Sequence, residues 1–413
     1  MLQNNAKAQG SGCENKLAVT SQVRLGFAST YYTMAQALGI QKLQDFIRGS
    51  PSLTTSHAPI WLLGFKYETT TAGQDGPDQS VLDSVTEDFQ SIIWMSYRKA
   101  FAPLGLPELT TDAGWGCTLR SGQMLLAQGL QQHCVGRAWR RHPDTRLPEA
   151  LSRLLRWFWD DPSPQYPFSI HNLCAAGRPH GVKAGEWLGP WVLCHTLEAV
   201  MKKMEPASLN VHVHVVSQPG GAVPVLYTAS FKAFFGAPDT EEESAAGGSS
   251  AEGRRPQPAV IVLLPLLLGL GKVNERYIPQ LQRVLTWPQS IGIVGGRPSS
   301  SLYFVGCQDD QVIYLDPHQA QQTQEQAGDS STYWGQTIRM MPLASIDPSL
   351  AIGFYCRTLD DGMDLLQRLS QLEAQSNGAP LVSIIEGHTA PDWQESHDPQ
   401  LGDEGAAGDW EML

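Results

Sequence analysis

The stretch Asp112-Ala-Gly-Trp-Gly-Cys117, running directly into Thr118-Leu-Arg-Ser-Gly-Gln-Met-Leu-Leu-Ala-Gln-Gly-Leu130, sets the reading of this 413-residue chain. Gly114 and Gly116 permit a tight turn that approaches its surroundings closely. From Thr118 the residues read as helical through Leu130, which places Cys117 at a helix N-terminus. Free backbone N–H groups and the helix dipole there favour a negative thiolate. A cysteine with a pKa near 8.5 is only about 3% thiolate at pH 7, so lowering that pKa by a few units gives roughly thirtyfold more nucleophile.

A second segment, Val312-Ile-Tyr-Leu-Asp316-Pro-His318, supplies what such a thiolate needs. On an extended segment side chains alternate, so Asp316 and His318 are expected on one face. His318 is placed to take the thiol proton and return it to a leaving group, with Asp316 orienting the imidazole and stabilising its cation. Taken alone, each signal has an ordinary alternative: a free cysteine is most often a small buried hydrophobe, and Asp-Pro-His is most often a turn. The other cysteines, at 13, 134, 174, 194, 307 and 356, lack a comparable glycine-flanked helix start and read as structural.

Working outward, the composition bounds the function. The formal net charge is −12, but residues 392–413 carry seven acids and no Lys or Arg, and 236–258 carry five acids against Arg254 and Arg255. The remaining body is nearly neutral and has no basic stripe, which argues against nucleic-acid binding. Seven scattered cysteines without a Cys-x-x-Cys pair, and no compact apolar leader, fit reduced thiols in the cytoplasm. The longest apolar run, Ala259 to Leu270, is 12 residues with Pro265 inside it, too short to span a bilayer. Gly269-Leu-Gly-Lys272 lacks the upstream glycine and the Ser or Thr of a phosphate loop. His212 and His214 share a strand face without a further ligand cluster, so no metal site is expected.

Helical spacing runs through Leu147–Phe158, through Leu193–Met204 with Pro190 in a first turn, and through about Met363–Gln375 with Asn377-Gly378 as the stop. A short helix is also expected around Thr33–Phe46. Strands are expected at Val211–Val216, Ala259–Leu264, Ser290–Val294, Ser301–Val305, Gln311–Leu315 and Leu381–Ile385. Helices lead in the first half and strands in the second, which favours an α+β class. Residues 1–58 read as a flexible extension, 59–390 as the folded domain with a disordered insertion at 236–258, and 391–413 as an acidic disordered tail.

Six blocks, in order, are similar to those of the autophagins. They are Tyr97–Phe101 (YRKAF), Thr110–Met124 (TTDAGWGCTLRSGQM), Phe168–Leu173 (FSIHNL), Gly185–Pro190 (GEWLGP), Gln289–Gly306 (QSIGIVGGRPSSSLYFVG) and Tyr314–His318 (YLDPH). The resemblance covers about Trp61 to His388, and FSIHNL, NERYIPQL, DPSLAIGFYCR and the ending DWEML resemble the branch found in plants. It implies a papain-like cysteine protease fold with a small auxiliary subdomain inserted at roughly 145–235, acting on the ubiquitin-like modifier of autophagy. Cys117 matches the nucleophile, His318 the general acid/base, Asp316 its orienter, and Tyr97 a hydroxyl that joins the Cys117 N–H in an oxyanion hole. Trp187 matches a tryptophan covering the entrance, and Pro298 the mobile loop that lifts from it.

The resemblance further implies cleavage after a glycine near the modifier's C-terminus, release of the modifier from phosphatidylethanolamine, transient contact with autophagic membranes through that lipidated substrate, and no cofactor. Trp410 and Leu413, in the terminal Trp-Glu-Met-Leu, read as an aromatic-x-x-aliphatic docking motif that adds a strand to the modifier. Thr118 stands where many relatives carry methionine, and Ala113-Gly114 also departs from the pattern; neither touches the expected chemistry. The competing class is a catalytically inactive adaptor binding the same modifier, against which the intact Cys117, Asp316, His318 and Tyr97 set argues.

Overall fold

Four long strands, at Ala259–Leu267, Ser290–Arg297, Ser300–Gln308 and Ser349–Cys356, each buried along nearly its whole length, organise the molecule. The computed structural model describes residues 56–69, 77–106, 108–204, 209–218, 223–236, 257–323 and 329–388. The expected helix at Thr33–Phe46, nearly all of the 1–58 extension and of the 236–258 insertion, and the tail with Trp410 and Leu413 lie outside these residues.

In chain order the elements are β1 (Ile60–Leu62), β2 (Phe65–Tyr67), α1 (Gln79–Gln90), β3 (Arg98–Leu104), β4 (Leu109–Thr111), α2 (Cys117–Val135), α3 (Glu149–Arg156), α4 (Ile170–Gly177) and α5 (Pro190–Lys202). They continue with β5 (Val211–Val215), β6 (Val225–Tyr227), α6 (Thr228–Ala233), β7 (Ala259–Leu267), α7 (Ile278–Leu285), β8 (Ser290–Arg297), β9 (Ser300–Gln308) and β10 (Gln311–Leu315). The last are β11 (Gln321–Gln322), β12 (Arg339–Pro342), β13 (Ser349–Cys356), α8 (Leu359–Ala374) and β14 (Ser383–Ile385). Every expected strand is present, and the class is α+β.

The main sheet runs β12-β10-β9-β8-β13-β7-β5, antiparallel except where β5 lies parallel to β7 at the edge. Odd positions such as Ile261, Leu263, Ile291, Tyr303 and Ala351 face one hydrophobic cluster, shared with α2, α3, α4 and α5. Even positions such as Val260, Val262, Phe304, Ile352 and Phe354 face a second, shared with α7 and α8. A strand covered on both faces has no reason to alternate in hydrophobicity, which is why β7 reads as the unbroken run Ala-Val-Ile-Val-Leu-Leu-Pro-Leu-Leu. Pro265 falls just past Leu263, the last residue of β7 paired to β5, so its missing N–H removes no rung on that side.

Against β8 and β9, beside α5, lies α2, buried from Cys117 through Gln132. Its glycines allow this packing: a Cβ on Gly129 would lie 2.8 Å from the Ile261 side chain, and one on Gly122 would lie 2.4 Å from that of Leu193. A helix so enclosed is fixed at both ends. Its first residue is thereby held beside a smaller sheet, β11-β3-β4, with Tyr97 just ahead of β3 and His318 shortly before β11.

Candidate active site

The turn before α2 is held by one residue. The Asp112 carbonyl accepts from the N–H of Trp115 at 3.2 Å and of Gly116 at 2.8 Å, with Gly114 at φ +93° between them. A Cβ on Gly116 would sit 2.5 Å from Asp112 Oδ2, so this position needs glycine for close approach rather than for its φ. The result is the helix start read from the sequence: Gly116 is the N-cap and Cys117 the first helical residue, 2% exposed.

The Cys117 sulfur is surrounded by donors. The His318 imidazole hydrogen-bonds it, the Ser301 backbone N–H donates to it, and the Trp187 indole Nε1–H donates at 3.3 Å. Burial acts to raise the thiol pKa, but the His318 hydrogen bond and charge, aided by these donors, outweigh it and bring Cys117 down to about 7. The other described cysteines go the opposite way. Burial pushes Cys174 and Cys307 up to about 12, and it raises Cys134, Cys194 and Cys356 as well. Among the described cysteines, Cys117 alone is poised to ionise near neutral pH.

His318 receives its orientation from Asp316. The ring Nδ1 donates to Asp316 Oδ1 at 2.6 Å, and the same oxygen accepts the His318 backbone N–H at 2.9 Å. This corrects the expectation of an extended segment: β10 ends at Leu315 and Asp316-Pro-His318 forms a side-chain-capped turn. Pro317 has no N–H to continue a ladder, and the Asp316 carboxylate captures the next N–H instead. The two side chains therefore meet through the turn, not through strand alternation. Burial would lower the His318 pKa, yet the hydrogen bonds and charges of Asp316 and Cys117 raise it to about 9. Asp316 is itself paired with Arg339, Nη1 to Oδ2 3.7 Å, and the Trp94 indole donates to its carbonyl at 2.9 Å.

Tyr97 joins the two halves. Its backbone N–H donates to the Pro317 carbonyl and its carbonyl accepts from the Gln321 N–H, both at 2.9 Å. Its ring packs edge-on against His318 at 5.4 Å. Burial first, then the charge and hydrogen bond of Cys117, push the phenol far upward, so it stays a donor at any working pH, while the Gly114 N–H donates to its oxygen. Trp187 is 50% exposed and lies over the sulfur, whereas Pro298 forms, with Ser299 at φ +63°, the exposed two-residue turn joining β8 to β9. That hairpin is not idle: Ser300 Oγ lies 3.3 Å from His318 Nε2, and Ser301 Oγ donates to Ser121 Oγ on α2 at 3.2 Å. Neither serine stood out in the sequence, nor did Asp112 and Arg120 within the quoted motif. A lone arginine near the start of a helix with no other Arg, Lys, Asp or Glu is the available sign of a partner elsewhere.

The arrangement has the parts of a Cys-His-Asp hydrolase: a thiol at a helix start with its pKa brought down to about 7, an imidazole hydrogen-bonded to it with its pKa brought up to about 9, and a phenol bonded to the same sulfur. Residues 82–368 match the Peptidase C54 catalytic domain, which covers more than half of the chain. The chain belongs to the C54 family of cysteine peptidases. Within it the chain is 39% identical to the Arabidopsis thaliana protein named cysteine protease ATG4b, over 87% of this chain and 77% of that one. It is 37% identical to cysteine protease ATG4a of the same plant, over 94% and 85%, and 30% identical to the Xenopus laevis cysteine protease ATG4B, over 82% and 86%. It is thus an autophagin of the plant branch, a thiol protease with the papain-like fold of C54 peptidases. Among its described residues no helix is long and apolar enough to cross a membrane, and no group of three His, Cys, Asp or Glu could hold a metal ion.

Proposed function

We propose that this C54 peptidase trims the C-terminal extension of the ubiquitin-like autophagy modifier after a glycine, and releases the same modifier from phosphatidylethanolamine, in the cytoplasm. In this reading the Cys117 thiolate attacks the glycine carbonyl carbon. The developing oxyanion takes hydrogen bonds from the Tyr97 hydroxyl and the Cys117 N–H, and each such donor contributes on the order of 10²–10³ in rate. His318 gives its proton to the departing amine, leaving a thioester. It then takes a proton from water, whose oxygen displaces the sulfur as a thiolate. The amine belongs either to a peptide or to the lipid head group, and the bond broken is an amide in both cases.

The observation that carries the substrate assignment is the confinement of the sulfur. Cys117 is nearly sealed, with the Trp187 indole across it and the β8–β9 hairpin beside it. A slot that narrow suits an extended tail whose last residue has no side chain. Trp187 and Pro298 are assigned to gating this slot, and Trp410 and Leu413 to docking the modifier by strand addition. The test compares the protein with its Cys117→Ala variant on precursor modifier and on modifier conjugated to phosphatidylethanolamine in vesicles, under reducing conditions. Cleavage of both substrates by the unmodified protein alone is expected. No cleavage of either would sink the substrate assignment, and cleavage of the precursor alone would remove delipidation from it.

A further inference from the structure

Buried beneath the site, and unused by the chemistry above, is a charged cluster. Arg120 is 1% exposed and Asp112 is fully buried, with Arg120 Nε 2.7 Å from Asp112 Oδ2. The far end of the guanidinium meets Asp160, Nη2 to Oδ2 2.9 Å and Nη1 to Oδ1 3.1 Å. Asp160 Oδ1 also accepts the N–H of Ile170, the first residue of α4, at 3.2 Å. Buried ion groups of this kind are weak evidence for stability, since well-packed apolar replacements are often neutral or stabilising. What such a network supplies instead is direction.

The direction here converges on the sulfur from both sides. Asp112 Oδ1 accepts the Arg98 backbone N–H at 2.6 Å, immediately after Tyr97. Its carbonyl holds the Trp115 and Gly116 N–H groups, immediately before Cys117. One residue therefore fixes the phenol donor and the nucleophile relative to each other. Its carboxylate is kept from rotating because Arg120 holds the second oxygen and Asp160 holds Arg120. Gly116 packs so tightly on that carboxylate that the turn cannot move without it.

The geometry points to Asp112, Arg120 and Asp160 as a positioning relay that sets the Tyr97 hydroxyl against the Cys117 sulfur, so that breaking the relay costs turnover rather than substrate affinity. The relay rests on the assignment of Tyr97 and Cys117 made above, and a readout that needs no substrate separates the two. The charged and polar groups facing the sulfur are His318 from the turn after β10, Tyr97 ahead of β3, the Trp187 indole, the Ser301 N–H and, behind Tyr97, Asp112. The Tyr97 hydroxyl stabilises the thiolate, so its loss or displacement raises the pH midpoint of Cys117 alkylation.

The experiment is a double-variant cycle on the full chain with Tyr97→Phe, Arg120→Lys and both together. Iodoacetamide alkylation of Cys117 is followed against pH, and kcat and KM are measured on the precursor modifier. Arg120→Lys keeps the charge but replaces the fork by one point donor. It is expected to raise the alkylation midpoint as Tyr97→Phe does and to lower kcat by about 10²-fold, with KM within about twofold. The double variant should show no further midpoint shift and no further loss of kcat. Shifts and losses that add in the double variant would overturn the relay, as would a folded Arg120→Lys with the parental midpoint and kcat and only a lowered Tm. If Arg120→Lys shows no cooperative thermal transition, Asp160→Asn takes its place in the cycle with the same expected and contrary outcomes. Failure of the parent protein to cleave the modifier would count against the substrate assignment alone, because the alkylation arm still decides the relay.

Discussion

At the residue scale the site is a pair of coupled titrations. With Cys117 at about 7 and His318 at about 9, the thiolate–imidazolium form predominates between those values. Below about 7 the thiolate takes up a proton and the nucleophile is lost. Above about 9 the imidazolium loses its proton and the leaving amine has no acid. A bell-shaped kcat/KM with these limbs is expected from initial rates across pH 5.5–10, and a flat profile between 5.5 and 7 would contradict the assignment. Asp316→Asn separates the contributions further. The 2.6 Å bond from His318 Nδ1 to a carboxylate becomes a bond to a neutral amide, so the imidazolium loses its charge partner. The alkaline limb should then move down toward the ordinary histidine value of about 6.5, with kcat falling by about 10²–10⁴. A variant that keeps its alkaline limb near 9 would show that Asp316 only positions the ring.

At the element scale the β8–β9 hairpin is sensitive to the addition of a single carbon. A Cβ on Gly296 would lie 2.1 Å from the Ser300 carbonyl oxygen, a backbone atom that cannot step aside without displacing Ser301 from the sulfur. Gly296→Ala is therefore expected to cost about 1–3 kcal/mol in urea unfolding and to raise the pH midpoint of Cys117 alkylation. Loss of stability with an unmoved midpoint would mean that the hairpin tip and the Ser301 N–H move independently.

Several elements are legible in the chain itself. The strands covered on both faces stand out as apolar runs, α3 and α5 by their spacing, and α2 as the run that follows the glycine turn. β13 passed unread because Gly353 interrupts its run. That glycine is needed where a Cβ would meet Ile291 at 2.8 Å and Leu125 at 2.9 Å. α8 begins four residues before its apolar spacing does, since Thr358 and Asp361 form a capping box whose signal is polar. α1 is almost as polar as a loop, with only Val85 and Phe89 as buried apolar residues. Cys117, Asp316 and His318 were legible because their residue types have few other uses together. Asp160 was not, because an ion partner 40 positions from Arg120 leaves no periodic trace.

At the scale of the whole molecule, three regions remote in sequence close over one sulfur: Trp187 ahead of α5, the hairpin at 297–300, and the turn carrying His318. Coverage and ionisation are linked in the proposed role of Trp187, whose indole donates a hydrogen bond to the sulfur it is assigned to cover. Removing it has two opposed consequences. Trp187→Ala opens a path, which speeds alkylation of whatever thiolate is present, and it deletes a donor, which reduces the thiolate fraction at low pH. Near pH 9, where the thiolate is already the main form, alkylation should rise several-fold in the variant, and more for a bulky maleimide than for iodoacetamide. Near pH 6 the gain should shrink or reverse, because the midpoint has moved up from about 7. Stopped-flow alkylation at the two pH values with the two reagents reads both effects at once. Equal gains at both pH values would leave the indole as a steric cover without influence on the thiol, and no gain at pH 9 would mean that the hairpin, not Trp187, closes the slot.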